Sequence, residues 1–551
     1  MAKIYQTPGV YIVEKSAFPN SMVPIPTAVP AFVGYTERAE RKEKSLLLQP
    51  TRISSLGEYE TLFGGGPLTM LTIGKAKNPG VAHTLAITKG RFTLHSQLRM
   101  FFSNGGSDCY IVSVGGYAKA NGTANAIDLN VLKSGIAPLL KETAPTLLII
   151  PEAAHAAVGT DTKAEDVAAI CTVYQAMLKH CGVDTKNRFA ITDAWMDVET
   201  FEQPEYDLAA DIERFRDGIG ANSRQWGAAY FPWLHTTAVG ASDVSLRNIA
   251  NRGVITDVKL FPNGTFDENG NIVDRAKFQA DFLAEDAYSL AAVLDRSLNQ
   301  DVFSGTVKAA RAKEIKTALL TELTSIDLVD STAVDTLNGA LLAVSPTFEA
   351  ILREARKQLN LLPPSAAMAG IYSMIDAQRG VFKAPANVNI GSVLSPAVSI
   401  SNEQQQDLNA PALGKAVNAI RNFPGQGVLV WGARTLDSNS LDWRYINVRR
   451  MVIYIEQSIK AALMPFVSEP NVATTWQTVK AMLSSFLTNE WKLGALAGAS
   501  PDDAFRVDVG LGSTMTNIDI LDGYLRVQVA VAIVRPAECI VITFEQKMKE
   551  A

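Results

Sequence analysis

The first half of the chain carries short apolar runs with little alternation between apolar and polar positions. "PAFVGYTERA" predicts a strand ending at Gly34, and "CYIVSVGG" predicts another. "APTLLIIPE" is apolar at successive positions, the pattern of a strand covered on both faces. "NRFAITDA" and "GAAYFPWL" continue the series, and Ala164 to Lys179 has the periodicity of a helix. In "LLLQPTRISSLGEYETLFGGG", Ser54 or Ser55 caps a short helix that Gly64-Gly65-Gly66 stops, and a further helix is predicted over Thr93 to Phe102, ended by Asn104-Gly105-Gly106. Strands alternating with helices imply a mostly parallel sheet with helices on both sides.

The rhythm fails between about 236 and 360, where "LFPNGTFDENGNIVD" predicts a hairpin and Phe278 to Leu361 reads as largely helical, with breaks near Ser331 and Ser345. Beyond it the layout changes. "GVLVWGARTL" predicts a strand, Tyr445 to Leu463 and Thr474 to Leu493 predict helices, and "DAFRVDVG", "GYLRVQVAVAIV" and "ECIVITFEQ" predict strands. The expected fold class is therefore α/β followed by α+β. The corresponding divisions are a proline-rich N-terminal stretch (1–30), the first part of the α/β domain (31–235) and a largely helical insertion or extended connection (236–361). A return to the α/β domain (362–390), an α+β C-terminal domain (391–535) and a terminal strand (536–551) complete the chain.

The N-terminus departs from this compact pattern. Val10-Tyr11-Ile12-Val13 is strongly β-forming and apolar on both faces, yet Pro19, Pro24, Pro26 and Pro30 separate it from the next strand. An extended spacer of this kind spans roughly 40 Å, far enough to reach another molecule. The alternative is a terminal strand that completes the sheet of its own domain.

Composition removes several classes of function. The 551 residues are 47% apolar and 19% charged with a net charge of −5, so the chain reads as globular and does not call for a nucleic-acid partner. Cys109, Cys171, Cys181 and Cys539 form no C-x-x-C pair and read as core thiols of a reducing compartment, which implies cytoplasmic synthesis. No signal peptide is visible, and no uncharged apolar run reaches about 18 residues, so direct membrane insertion is not expected.

A search for chemistry finds little. "GGGPLTM" lacks the Gly-Lys-Ser/Thr of a phosphate loop, and "DENGNIVD" has its glycine misplaced for a calcium loop. His83, His95, His155, His180 and His235 show no metal-binding spacing, and no G-x-S-x-G elbow is present. Catalytic, cofactor and metal sites are accordingly read as none.

Several stretches together resemble the contractile tail sheath family of contractile phage tails and phage-derived contractile injection systems. They are "TPGVYIVEK", "IPTAVPAFVG", "SLGEYETLFGGG", "LRMFFSNGGSDCYIVSV", "LPPSAAMAGIYSMIDAQRGVFKAPAN", "GVLVWGARTL", "WRYINVRRMVIYIEQSI" and "VSEPNVATTW". Their collinear order across roughly 5 to 115 and 362 to 546 is more specific than any one of them. The resemblance implies a subtilisin-like α/β sheath domain, an outer insertion, a tube-facing C-terminal domain and extended terminal β-arms. It implies a structural subunit, not an enzyme, that polymerises as a helical array around an inner tube and contracts to drive that tube through a target envelope. The implied partners are copies of itself, sheath paralogues, the tube protein, and baseplate and cap proteins; the implied location is a particle assembled in the cytoplasm.

The same resemblance implies that N- and C-terminal strands of neighbours complete a small sheet, which points to Val10, Tyr11, Ile12 and Val13 at one end and Ile540, Val541, Ile542 and Phe544 at the other. In the helix beginning near Tyr445, Val448, Val452, Ile455 and Ile459 form an apolar stripe, with Arg449, Arg450 and Lys460 off it. These three are candidates to meet an acidic tube surface, the alternative being a solvated helix face. Two further readings are a subtilisin-like hydrolase, for which "GSTMT" at 512 to 516 is a weak echo of a serine motif, and a surface-binding module using residues 236–361.

Overall fold

Five of the apolar runs lie side by side. In a computed structural model, which describes residues 22, 24–74, 83–87, 91–119, 125–156, 159–251, 290, 291, 293, 294, 298, 309–326 and 330–538, the chain forms two units. The larger comprises Ala28–Gln378 and Pro385–Ile446; the smaller comprises Met1–Thr27, Arg379–Ala384 and Asn447–Ala551.

The larger unit is built on β1 (Pro30–Thr36), β2 (Thr51–Ile53), β3 (Cys109–Gly116), β4 (Leu147–Ile149), β5 (Phe189–Asp193), β6 (Gly227–Phe231), β7 (Val388–Asn389), β8 (Val417–Phe423) and β9 (Gly427–Val430). Their order across the sheet is β7-β9-β8-β6-β5-β4-β1-β3-β2. The run from β8 to β3 is parallel throughout, and β2, β9 and β7 add antiparallel edges. Every residue of β4, β5 and β6 is buried, which accounts for their lack of alternation. Cys109, Cys171 and Cys181 are buried free thiols of this unit, whereas Cys539 lies outside the described residues.

Helices α1 (Leu94–Ser103) and α2 (Lys163–Lys179) fall where the periodicity predicts helix, and α3 (Leu208–Gly218) lies between β5 and β6. Thr162 and Asp207 cap α2 and α3 by accepting from the N–H of Glu165 and Ala210. α1 ends at Gly105, whose φ of +90° requires glycine, and the N–H of Gly106 closes the turn onto the Phe101 carbonyl at 3.0 Å. The short helix Leu56–Phe63 is capped by Ser55, one of the two serines considered, and stops at Gly64.

The described part of the insertion contains α4 (Ala309–Ser325), α5 (Ser331–Val344) and α6 (Pro346–Leu359). Asp330 and Ser345 cap α5 and α6, close to the predicted breaks. Leu320, Leu337, Leu341, Phe348 and Ile351 form a core of their own with Leu71, Ile73 and Leu85 of a hairpin from the first part of the chain. The hairpin predicted at 260–274 lies outside the described residues.

The expected boundary at 391 is displaced. β8 and β9 extend the large sheet, and Val393–Pro396 pairs with Leu234–Thr236, so the division falls after Ile446. Helix α7 (Ser365–Arg379) belongs to the larger unit as far as Gln378. The smaller unit contains α8 (Ile446–Leu463), which starts at that division, then α9 (Ala473–Lys492) and an antiparallel ribbon of β10 (Phe505–Val509) and β11 (Val527–Val531). Met451, Tyr454 and Ile455 of α8 pack with Val479, Leu483 and Leu487 of α9 and with Val507 of the ribbon.

Candidate assembly interface

In a parallel sheet the ends of the strands are where chemistry is usually found. Two carboxylates stand there. Glu152, soon after β4, is fully buried and accepts from the N–H of Tyr35 at 2.7 Å, Thr93 at 2.9 Å and Leu94 at 3.1 Å. Asp193, the last residue of β5, accepts from the N–H and Oγ of Ser365. Burial pushes each carboxyl up to about 7, against the opposite pull of these hydrogen bonds. Each carboxylate thus holds the N-terminus of a helix, α1 and α7 respectively, where negative charge is favoured.

The serine at this place donates to Asp193, and the hydrolase reading finds no histidine bonded to a serine among the described residues. His95 bonds Glu60, His180 bonds Arg188, and His155 packs edge-on against Trp233. Burial holds the His155 imidazole well below its ordinary value. "GSTMT" is a local turn, in which Thr514 Oγ1 donates to the Arg526 carbonyl and Thr516 caps the helix Asn517–Leu521. No group of three or more metal-ligating side chains occurs among the described residues.

The smaller unit carries the candidates for assembly. Arg449 and Arg450 are only 5% and 4% exposed, so the expectation that they face outward from α8 is corrected. The first turns of this helix are buried on all sides because distant segments of the chain close over them. Arg450 Nη2 donates to the Thr27 carbonyl at 3.2 Å, and Asn447 Nδ2 donates to the carbonyls of Phe382 and Val534 at 2.8 and 3.1 Å. Desolvation lowers the Arg449 guanidinium to about 10. Lys460, in the last turn, is exposed.

The unit therefore holds both ends of the described chain. Met22 and Ile25 pack on its core, as does Ile533, and the Val534 N–H donates to the Ala495 carbonyl. Met22 and Ile25 are apolar positions within the proline-rich stretch, a signal available in the sequence but read only as spacer. Val10, Tyr11, Ile12, Val13, Ile540, Val541, Ile542 and Phe544 lie outside the described residues.

Two surface features of this unit are unusual. Among the described residues the β10–β11 ribbon has two strands, so the backbone groups along its outer edges face no further strand. The loops at 464–472 and 511–524 expose Met464, Val467, Leu511, Ile518, Leu521 and Tyr524, with Leu521 at 85%. Asn471 Nδ2 donates to the Tyr524 carbonyl at 2.9 Å, which ties the two loops together. The exposed apolar side chains thus stand on two segments that are joined to each other.

Comparison with known proteins gives this arrangement a context. The phage tail sheath C-terminal domain family matches residues 438–547. The PVC sheath complex of an extracellular contractile injection system, in its contracted state, is 25% identical over 99% of this chain and 99% of that one, with a TM-score of 0.54. The contracted helical sheath of the anti-feeding prophage is 26% identical over 99% of this chain and 100% of that one, with a TM-score of 0.54. A chain of the six-fold symmetrised baseplate of that prophage gives 26%, 99%, 100% and 0.53 in the same order. No curated protein matches the chain by sequence.

A mostly parallel sheet followed by a helix-and-ribbon unit that holds both ends of the described chain thus matches these sheath structures. The chain belongs to the contractile tail sheath family, and it is a structural sheath subunit of a phage tail-like particle.

Proposed function

We propose that copies of this chain polymerise as a helical array around an inner tube, linked by their terminal segments, and that the array contracts to drive the tube through a target envelope. The observation that carries this reading is the ribbon, two-stranded among the described residues, in the unit that holds both ends of the described chain. Strands from neighbours, one containing Val10 to Val13 and the other Ile540 to Phe544, complete that ribbon. Each added strand contributes about five ladder hydrogen bonds at roughly 1 kcal/mol apiece, together with buried Val and Ile side chains.

Linkage of this kind lets a lattice change shape without losing connectivity. The larger unit, with the subtilisin-like arrangement that the resemblance implies, rotates into a wider packing while the strands stay paired. Exposed Met464, Val467, Ile518 and Leu521 supply apolar area to contacts made in the array. Lys460 remains a candidate for contact with the tube. Baseplate and cap proteins bound the array, assembly takes place in the cytoplasm, and no cofactor takes part. Among the described residues no helix is long and apolar enough to cross a membrane.

Negative-stain microscopy of the purified chain tests this reading. Tubes or stacked rings at high concentration are expected, and dispersed monomers under all conditions would count against it.

A further inference from the structure

Asn447 and Arg450 stand one helical turn apart at the start of α8, on the same side of the helix. They are 2% and 4% exposed. Asn447 reaches the Val534 carbonyl, three residues beyond the end of β11, and Arg450 reaches the Thr27 carbonyl, in the stretch that leads to β1. The second bond of Asn447, to the Phe382 carbonyl, brings in the segment Arg379–Ala384 as well.

We infer that this turn of α8 is a fastening node: Asn447 and Arg450 are positioning residues that fix where both terminal segments leave the subunit, and so set the geometry with which they reach second copies of the chain. The inference rests on the reading of the termini as intermolecular arms. Its physical basis is mechanical. An arm that carries load between subunits must be rooted in a rigid element, and otherwise a pull peels the root away from its own core. Each root is held here by a buried side-chain donor on a backbone carbonyl, and such bonds do not depend on the side chain of the segment they hold. A single rigid turn also links the two roots, and tension in one arm passes to the other through α8 without crossing the ribbon.

The experiment compares the full chain with Asn447→Ala, Arg450→Met and Arg450→Lys, and with a chain lacking residues 1–21. Pelleted tubes are quantified, and cleavage of unassembled protein by a broad-specificity protease is mapped. In the parent, cleavage is expected before Met22 and after Arg535 but not within 24–27. Asn447→Ala and Arg450→Met are expected to keep the far-ultraviolet dichroism of the parent, to be cut about tenfold faster near their respective roots, and to lose most of their tube yield. Arg450→Lys, which retains a donor, is expected to recover both. Cleavage within 24–27 in the folded parent, or parental cleavage and tube yield in both variants, would overturn the node. If the chain lacking 1–21 assembles normally, the arm reading fails, while the cleavage map still decides whether the roots are fastened.

Discussion

Asp193 Oδ1 accepts the Ser365 N–H at 2.7 Å and its Oδ2 accepts the Ser365 hydroxyl at 2.6 Å. One carboxylate at the end of β5 thus takes both donors of the first residue of α7. Its folded-state carboxyl is raised from 3.8 to about 7 by burial. Since the raised value belongs to the folded state, the associated stability is present in full below about 3.8 and is lost as pH rises through about 7. The urea midpoint of the unassembled chain should therefore carry a component that falls as pH rises from about 3.8 to about 7. Asp193→Asn should reduce that slope at little cost, because Asn Oδ1 can accept the N–H while the hydroxyl turns to accept from Nδ2. An unchanged slope would refute the assignment.

Glu152 makes the contrasting prediction. Its two oxygens accept only backbone N–H groups, from Tyr35 on one side and from Thr93 and Leu94 on the other. Glu152→Gln has nearly the same shape, yet it must turn an NH2 toward an N–H on one side, and neither partner can reverse its role. A loss of about 2–3 kcal/mol is expected in urea unfolding, larger than for Asp193→Asn. Equal costs for the two substitutions would contradict this reading of the hydrogen bonds.

Asn251 and Ile73 exchange two bonds of 2.8 Å, Nδ2 to the Ile73 carbonyl and the Ile73 N–H to Oδ1, so that a side chain imitates a strand partner for the hairpin Leu71–Gly74 and Thr84–Ile87. Asn251→Ala leaves a backbone donor and an acceptor without that partner. It should destabilise the insertion by about 2 kcal/mol and raise hydrogen exchange in both strands of the hairpin, with β4 to β6 unaffected. Uniform exchange changes across the sheet would argue against an insertion core that stands apart.

The parallel sheet is legible in the sequence because strands such as Leu147–Ile149 and Phe189–Asp193 are buried on both faces and hence apolar at every position. The cap at Ser55 and the break at Ser345 are legible because these side chains act within one turn of their own position, whereas the cap at Thr162 is not read from the sequence. What depends on distant residues is not. "GVLVWG" reads the same in any sheet, so the pairing of Ile420 with Val430, which keeps this stretch in the larger unit, leaves no local trace. The hairpin at 71–87 joins a core formed by helices more than two hundred residues later. Arg449 and Arg450 sit off the apolar stripe of their helix and are nonetheless enclosed, since Thr27 and Val534 come from the two ends of the chain. Of the stripe, Ile455 and Ile459 join the core shared with α9, whereas Met451 and Tyr454, which lie off it, join that core as well.

The central claim is that the β10–β11 ribbon, two-stranded among the described residues, is completed by other copies of the chain. A density map of the assembled sheath, resolved well enough to trace strands at Phe505–Val509 and Val527–Val531, tests it most directly. The account predicts additional strands on this ribbon that trace back through residues 1–21 or 539–551 to neighbouring subunits. A ribbon left with two strands in the assembly, or one completed by the termini of its own chain, would contradict it.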